Sequence, residues 1–265
     1  MKLVRPKLPP AFTLIELLIV TAIIGLLISI LVPAVISGWR AAQRVKCASH
    51  LRDITIACKA YAADHAGRWP NAFTAQSTRT DALGNAPGEP GGLRGPNLDD
   101  GTLGTDNKDE VVNSNSASLW LLVAGEYLPP ETLICPCTAD APDLIRNPKD
   151  VRDFLSRRQC SYSFQCRLGN RRIPDTWKLA VAADRSPFFD PCNSTEDPEA
   201  NSFNHFGQGQ NVAFVDGRVQ WLARPFYDAT GDWFYRAWKA PDDPTPDGIP
   251  SPEATPLNDL DALLK

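Results

Sequence analysis

Residues 12–36, FTLIELLIVTAIIGLLISILVPAVI, decide the fold, because 25 consecutive residues there carry a single charge, Glu16. As a helix rising ~1.5 Å per residue, this run reaches ~37 Å, beyond the ~30 Å hydrocarbon core of a bilayer. The sequence therefore predicts one membrane span. A carboxylate within it costs on the order of 2.5–3.5 kcal/mol at the bilayer centre and less toward the interface, so Glu16 needs a partner. On the N-terminal side, MKLVRPKLPPA (residues 1–11) holds Lys2, Arg5 and Lys7 and no acid. On the other side Arg40, Arg44 and Lys46 match them, so the distribution of cations does not orient the span.

The junction between these two segments carries a recognisable pattern. A small residue, Ala11, precedes Phe12-Thr13-Leu14-Ile15-Glu16. This resembles the start of type IV prepilins and type II secretion pseudopilins, where a basic leader ends in a small residue, normally Gly, followed by Phe-Thr-Leu-Ile-Glu. The resemblance implies that a prepilin peptidase cuts between Ala11 and Phe12 and methylates the new terminal amine of Phe12. It also implies that Glu16 serves assembly by neutralising the terminal amine of a neighbouring pilin-like subunit. A single-pass inner-membrane protein follows, with its N-terminus cytoplasmic and its C-terminal domain periplasmic or extracellular. Ala11 departs from the usual Gly, which implies slower cleavage. Pro33 falls where many such helices carry a kinking proline, a costly position unless neighbours satisfy the freed carbonyl. The plain alternatives are a generic signal anchor and a secretory signal cleaved near Ala34 to Ser37, and neither accounts for the acid.

Beyond Pro33 the helical pattern continues. Cys47, Leu51, Ile54, Cys58, Tyr61 and His65 step by threes and fours and form one stripe suited to packing on a sheet. Arg44, Arg52, Asp53 and Lys59 fall largely off it. Gly67 and Pro70 predict the stop. Cys47, Leu51, Tyr61 and Pro70 resemble positions of a large bacterial family of pilin-like proteins, with His50 where Asn is typical. Helix packing alone also explains all four.

Residues 74–115 are rich in Gly, Asn, Asp, Ser and Thr and predict a long surface loop. Pseudopilins carry calcium in a loop, which makes Asp99, Asp100, Asp106, Asp109 and Glu110 candidate calcium ligands. Their spacing lacks the alternation and fixed glycine of a calcium loop, so a solvated loop suffices and no cofactor is required. SASLWLLVAGEYL (116–128) predicts a short amphipathic helix capped by Ser116 or Ser118 and limited by Gly125. The ICPC segment that follows, with Cys135 before Pro136, again resembles the pilin-like family. Cys135 and Cys137 are too close for a Cys-x-x-Cys redox motif or a zinc knuckle. Structural disulfides are the simpler reading of Cys47, Cys135, Cys137, Cys160 and Cys166, with the connectivity open and an odd total of seven cysteines.

From residue 161 the pattern turns to strands. SYSFQCR alternates, WKLAVAAD is an apolar run ending in Asp184, and QNVAFVDGRVQWLA places β-rich arms around Asp216-Gly217. An Asp-Gly pair between such arms predicts a type I′ hairpin, in which both central residues take positive φ. His205 and Asp216-Gly217 resemble the His, nine-residue spacer, Asp-Gly signature of the same pilin-like family, although here ten residues, 206–215, intervene. Asp184, His205 and Asp216 are thus candidate metal ligands or catalytic groups. A turn explains Asp216 without chemistry, a loop hydrogen bond explains His205, and no nucleophile or phosphate-loop motif accompanies them.

The division that results is a leader (1–11), the transmembrane half of the first helix (12–36), an α+β globular domain with an antiparallel sheet (37–240), and a tail (241–265) with six prolines between 241 and 256. The formal charge of −4 becomes −7 without the leader's three cations, which gives no electrostatic reason to expect nucleic acid. The expected function is a non-enzymatic structural subunit of a surface filament or secretion pseudopilus. The alternative is a monomeric membrane-anchored exported protein that binds a glycan or other surface ligand.

Overall fold

The computed structural model describes residues 13–71, 115–142, 154, 157–165, 178–189, 195, 197, 199–236, 238–240, 243–246 and 264. Ala11, Phe12, the acids of the 74–115 segment, Cys166 and most of the tail lie outside these residues. The chain forms two compact units, Met1–Gln43 and Arg44–Lys265.

Helix α1 spans Leu14–Asp64, 51 residues, and contributes to both units. In the first unit its large apolar side chains are exposed, from Leu14 through Ile36, and it is the one described helix long and apolar enough to cross a membrane. The hydroxyls in this segment are satisfied within the helix. Thr21, Ser29 and Ser37 donate to the carbonyls of Leu18, Leu26 and Ala34 at 3.0, 2.7 and 2.8 Å, which lets polar side chains sit in an apolar surround. Pro33 lies inside the helix and cannot bond the carbonyl four residues earlier. At the start, Thr13 and Glu16 form a capping box. The Thr13 amide and hydroxyl donate to Glu16 Oε2 at 2.9 and 2.6 Å, and the Glu16 amide donates to Thr13 Oγ1 at 3.3 Å. Glu16 thus has hydrogen-bond donors within its own helix.

In the second unit one face of α1 is buried. Cys47, Leu51, Ile54 and Cys58 are fully covered and Tyr61 partly so, as the stripe predicts, while His65 lies beyond the helix and is exposed. Each fully buried Leu or Ile contributes roughly 1.5–3 kcal/mol. Ala66 (φ 56°) and Gly67 (φ 77°) turn the chain out of the helix, with the Gly67 amide on the Ala62 carbonyl at 2.8 Å.

Helix α2 spans Asn115–Ala124. Ser116 and Ser118 lie inside it and are buried, so neither is the cap the sequence suggests. Burial on nearly every side, rather than an amphipathic split, explains its Leu-Trp-Leu-Leu-Val run.

The main sheet is antiparallel, in the order β1 (Tyr162–Phe164), β2 (Ala180–Asp184), β3 (Gln210–Phe214), β4 (Val219–Leu222). The first three strands are buried at every position, and β4 is half-buried at the edge. Phe214–Gly217 closes the β3–β4 hairpin, with the Gly217 amide on the Phe214 carbonyl at 2.8 Å and the Phe214 amide on the Arg218 carbonyl at 2.9 Å. Gly217 has φ 92°, whereas Asp216 does not take positive φ. This corrects the expected type I′ turn. The loop is one residue longer, and its single left-handed residue is the glycine of a bulge.

Two small ribbons follow, β5 (Phe226–Tyr227) with β6 (Asp232–Trp233), and β7 (Trp238–Ala240) with β8 (Asp243–Pro246). Part of the proline-rich tail is therefore paired. Leu264, near the end of the tail, is buried in the core, its amide on the Phe234 carbonyl at 2.7 Å. The fold is α+β, with a long N-terminal apolar helix and an antiparallel sheet.

Candidate metal centre

Four segments of the second unit converge on one buried point. Cys47 heads the buried stripe of α1. Cys135 follows the short 3-10 turn Pro130–Leu133, and its carbonyl accepts from the Thr138 amide at 3.1 Å. Asp184 ends β2, directly opposite Tyr162 of β1. His205 ends the 3-10 turn Phe203–His205, where the Ser202 hydroxyl caps the Asn204 amide and Phe206, at φ 60°, breaks the turn. Gly209 keeps this loop close to the sheet edge. A Cβ on it would lie 2.4 Å from the Leu222 carbonyl oxygen and 2.8 Å from the Trp221 ring, at φ 144°.

The donor atoms of Cys47, Cys135, Asp184 and His205 all lie within 4.8 Å of one another, and all four residues are buried. Cys47 Sγ is 2.9 Å from Asp184 Oδ1, His205 Nε2 is 3.2 Å from Asp184 Oδ2, and Cys135 Sγ is 3.9 Å from His205 Nε2. Around a tetrahedral ion with bonds of ~2.0–2.3 Å, neighbouring donors stand ~3.3–3.8 Å apart. These three separations lie within about half an ångström of that range, and no pair among the four donors exceeds 4.8 Å.

Other side chains hold the donors in place. Asp184 Oδ2 accepts from the Asn211 amide at 2.7 Å, and the Asn204 side-chain amide donates to Asp184 Oδ1 at 3.3 Å. The Tyr162 hydroxyl lies 3.3 Å from Cys47 Sγ and 3.3 Å from His50 Nδ1. The Tyr235 hydroxyl donates to the Asp184 carbonyl at 2.7 Å. Trp221 packs edge-on against His205 at 5.4 Å, and the Arg44 guanidinium sits 4.0 Å over the Trp221 ring.

Burial pushes the Cys47 thiol up to about 11. A hydrogen bond with Cys137 lowers the Cys135 thiol, but Cys47 and burial prevail and hold it at about 12. Burial opposes charge on His205, yet its hydrogen bonds to Asp184 and Cys135 raise it to about 10. Without an ion, the centre is a buried Asp184–His205 pair with two protonated thiols beside it.

The structure sorts the candidate residues sharply. His205 and Asp184 meet, whereas Asp216 does not join them. It is exposed in the hairpin, where Oδ1 accepts from the Arg218 amide at 2.9 Å and the carboxylate lies 3.8 Å from the Arg218 guanidinium. Cys47 and Cys135 enter the cluster. Cys137 lies beside it, its amide 3.5 Å from Cys135 Sγ, while the buried Cys160 donates to the Tyr162 carbonyl at 3.2 Å. None of these cysteines, nor Cys58, is in a disulfide. From sequence alone the cysteines are disulfide candidates, separate from Asp184 and His205. The four candidate ligands are spread from 47 to 205 with no short motif, so only the folded chain joins them. The one usable signal was an acid closing an otherwise apolar strand.

No protein-family model, curated protein or solved structure matches this chain.

Proposed function

We propose that the chain is a non-enzymatic pilin-like subunit. In this reading a prepilin peptidase cuts it between Ala11 and Phe12 and methylates Phe12, and the apolar half of α1 assembles it with other pilin-like subunits. The apolar half lies in the inner membrane before assembly, with the second unit outside the cytoplasm. The observation that carries this reading is the pairing of the Phe-Thr-Leu-Ile-Glu start with a helix that continues without a break to Asp64. Its first part exposes large apolar side chains while its later part buries a stripe in a domain core. A helix of this kind is suited to lateral packing with copies of itself. Glu16 is the only charge in the apolar run and stands one turn from the cleaved terminus.

Intact-mass measurement and N-terminal sequencing of membrane-extracted protein test the processing step, and the expected terminus is methyl-Phe12. A terminus at Met1 or near Ser37 overturns it. Cysteine substitutions at exposed positions of α1, such as Leu18 and Ile30, should give crosslinked ladders in native membranes. A protein that stays monomeric there is a membrane-anchored binding protein instead.

A further inference from the structure

We propose that Cys47, Cys135, Asp184 and His205 bind one zinc ion, in a closed site that ties the outer half of α1 to the sheet and to two loops. This goes beyond the subunit reading and does not depend on it.

Two thiols are the decisive feature. A buried Asp–His pair is already complete with the amide donors of Asn211 and Asn204, and it gains little from two sulfur atoms on the same point. An ion that takes sulfur, nitrogen and oxygen together uses all four. Calcium and magnesium require six or more oxygen ligands or water and do not take thiolates. Iron–sulfur clusters use four cysteines, or two cysteines with two histidines, whereas this cluster has one histidine and a carboxylate, and copper(I) favours sulfur over a carboxylate. Zinc has no geometric demand from its d electrons and is held tetrahedrally by this donor set.

The charges also close. Zinc with two thiolates and one carboxylate carries a net −1, which is tolerable in a buried site only where donors face it. The Asn211 amide and the Asn204 side chain already point at Asp184, and the Tyr162 hydroxyl stands against Cys47 Sγ. On binding, each thiol and the protonated His205 ring lose one proton to solvent, three in all, His205 binds through Nε2 as a neutral ring, and no electron is transferred. All four ligands are protein groups and all are buried, so no position is open for substrate water. Such a site is structural rather than catalytic. It joins positions 47, 135, 184 and 205, which removes far more freedom from the unfolded chain than from the folded one.

The test uses the full chain in detergent, purified under reducing conditions without added metal. Elemental analysis should find about one zinc per chain. After chelation, cobalt(II) alone should produce the intense sulfur-to-cobalt absorption and visible bands of a tetrahedral thiolate site, and zinc should abolish them. Chelation should lower the melting temperature by about 10 °C or more, and zinc should restore it. Cys47→Ser and His205→Ala should each lose the metal, while Asp216→Asn and Cys58→Ser keep it. The cobalt spectrum of the unsubstituted chain reports the ligands even where a variant fails to fold. No metal as purified together with no cobalt spectrum overturns the proposal. So does a Cys47–Cys135 disulfide in the native protein by non-reducing peptide mapping, or undiminished metal in folded Cys47→Ser and His205→Ala.

Discussion

The two parts of α1 differ in how far their polar groups reach: both hold hydroxyls bonded back along the helix, as Thr55 is to the Leu51 carbonyl at 3.0 Å, but the domain part also bonds residues distant in the chain. In the apolar part, Thr21, Ser29 and Ser37 each bond a carbonyl three residues back, and Glu16 bonds Thr13. In the domain part, Cys47 bonds Tyr162 and Asp184, 115 and 137 residues away. A segment exposed to lipid has no neighbour to rely on and must be complete in itself. A segment in a protein core can be completed by anything the fold brings near. Local change should therefore stay local in the first part and spread in the second.

The largest effect follows directly. Leu51→Ala opens a cavity in a fully buried site and should cost about 2–5 kcal/mol, whereas Leu26→Ala, on the exposed apolar part, should leave domain stability unchanged. Denaturant unfolding of the full chain in detergent, followed by tryptophan fluorescence, measures both. Equal losses would mean that the two parts share one cooperative unit.

The same contrast divides the acids. Asp184→Asn puts an amide where a buried carboxylate accepts from the Asn211 amide, the Asn204 side chain and Cys47, and should cost about 3 kcal/mol. Among the described residues Asp216 bonds within its turn, to the Arg218 backbone and more distantly its guanidinium, so Asp216→Asn should stay within about 0.5 kcal/mol. Gly217→Val should fall between, above about 1 kcal/mol, because the glycine holds φ 92°. Thermal melts of the three variants rank them. A large loss at Asp216 with a small one at Asp184 would reverse the assignment of local and long-range roles.

This distinction also explains what was legible in the sequence. The apolar run, the stripe from Cys47 to Cys58, the glycine stop at Gly67 and the Asp-Gly hairpin are local patterns, and each was readable from neighbours within a few residues. The hairpin's turn type was misjudged because Asp-Gly suits both a two-residue loop and a bulged one, and the choice depends on how β3 and β4 register, Ala213 opposite Val219. The caps assigned to α2 failed for a related reason. Serine at a helix start is read as a cap, but Ser116 and Ser118 lie one residue and three residues into a buried helix. The Cys47–Cys135–Asp184–His205 cluster was the least legible, since the distance from Cys47 to His205 along the chain carries no information about their proximity. Asp184 and Asp216 are both candidates beside His205, but Asp216 belongs to a local turn pattern, and Asp184, marked only as the acid that closes an apolar run, is the one that meets His205.

The smallest effect lies at Glu16 and separates two roles for one carboxylate. In a capping box, Gln at the third helical position serves nearly as well as Glu, because what matters is an oxygen that reaches back to the Thr13 amide. Glu16→Gln should then leave the first turn intact, while Glu16→Ala frays it by about 1 kcal/mol, a roughly fivefold rise in amide exchange over residues 13–17. A counter-charge for a neighbouring subunit's terminal amine has the opposite tolerance, since Gln supplies the oxygen but not the charge. Crosslink yield between subunits in membranes should then fall alike for Gln and Ala. Amide exchange and crosslink yield, measured on the same two variants, thus read the local and the intermolecular roles separately. Glu16→Gln with normal exchange and lost crosslinks assigns the acid to assembly. Glu16→Gln normal in both leaves it as a cap, complete within its own helix like Thr21, Ser29 and Ser37.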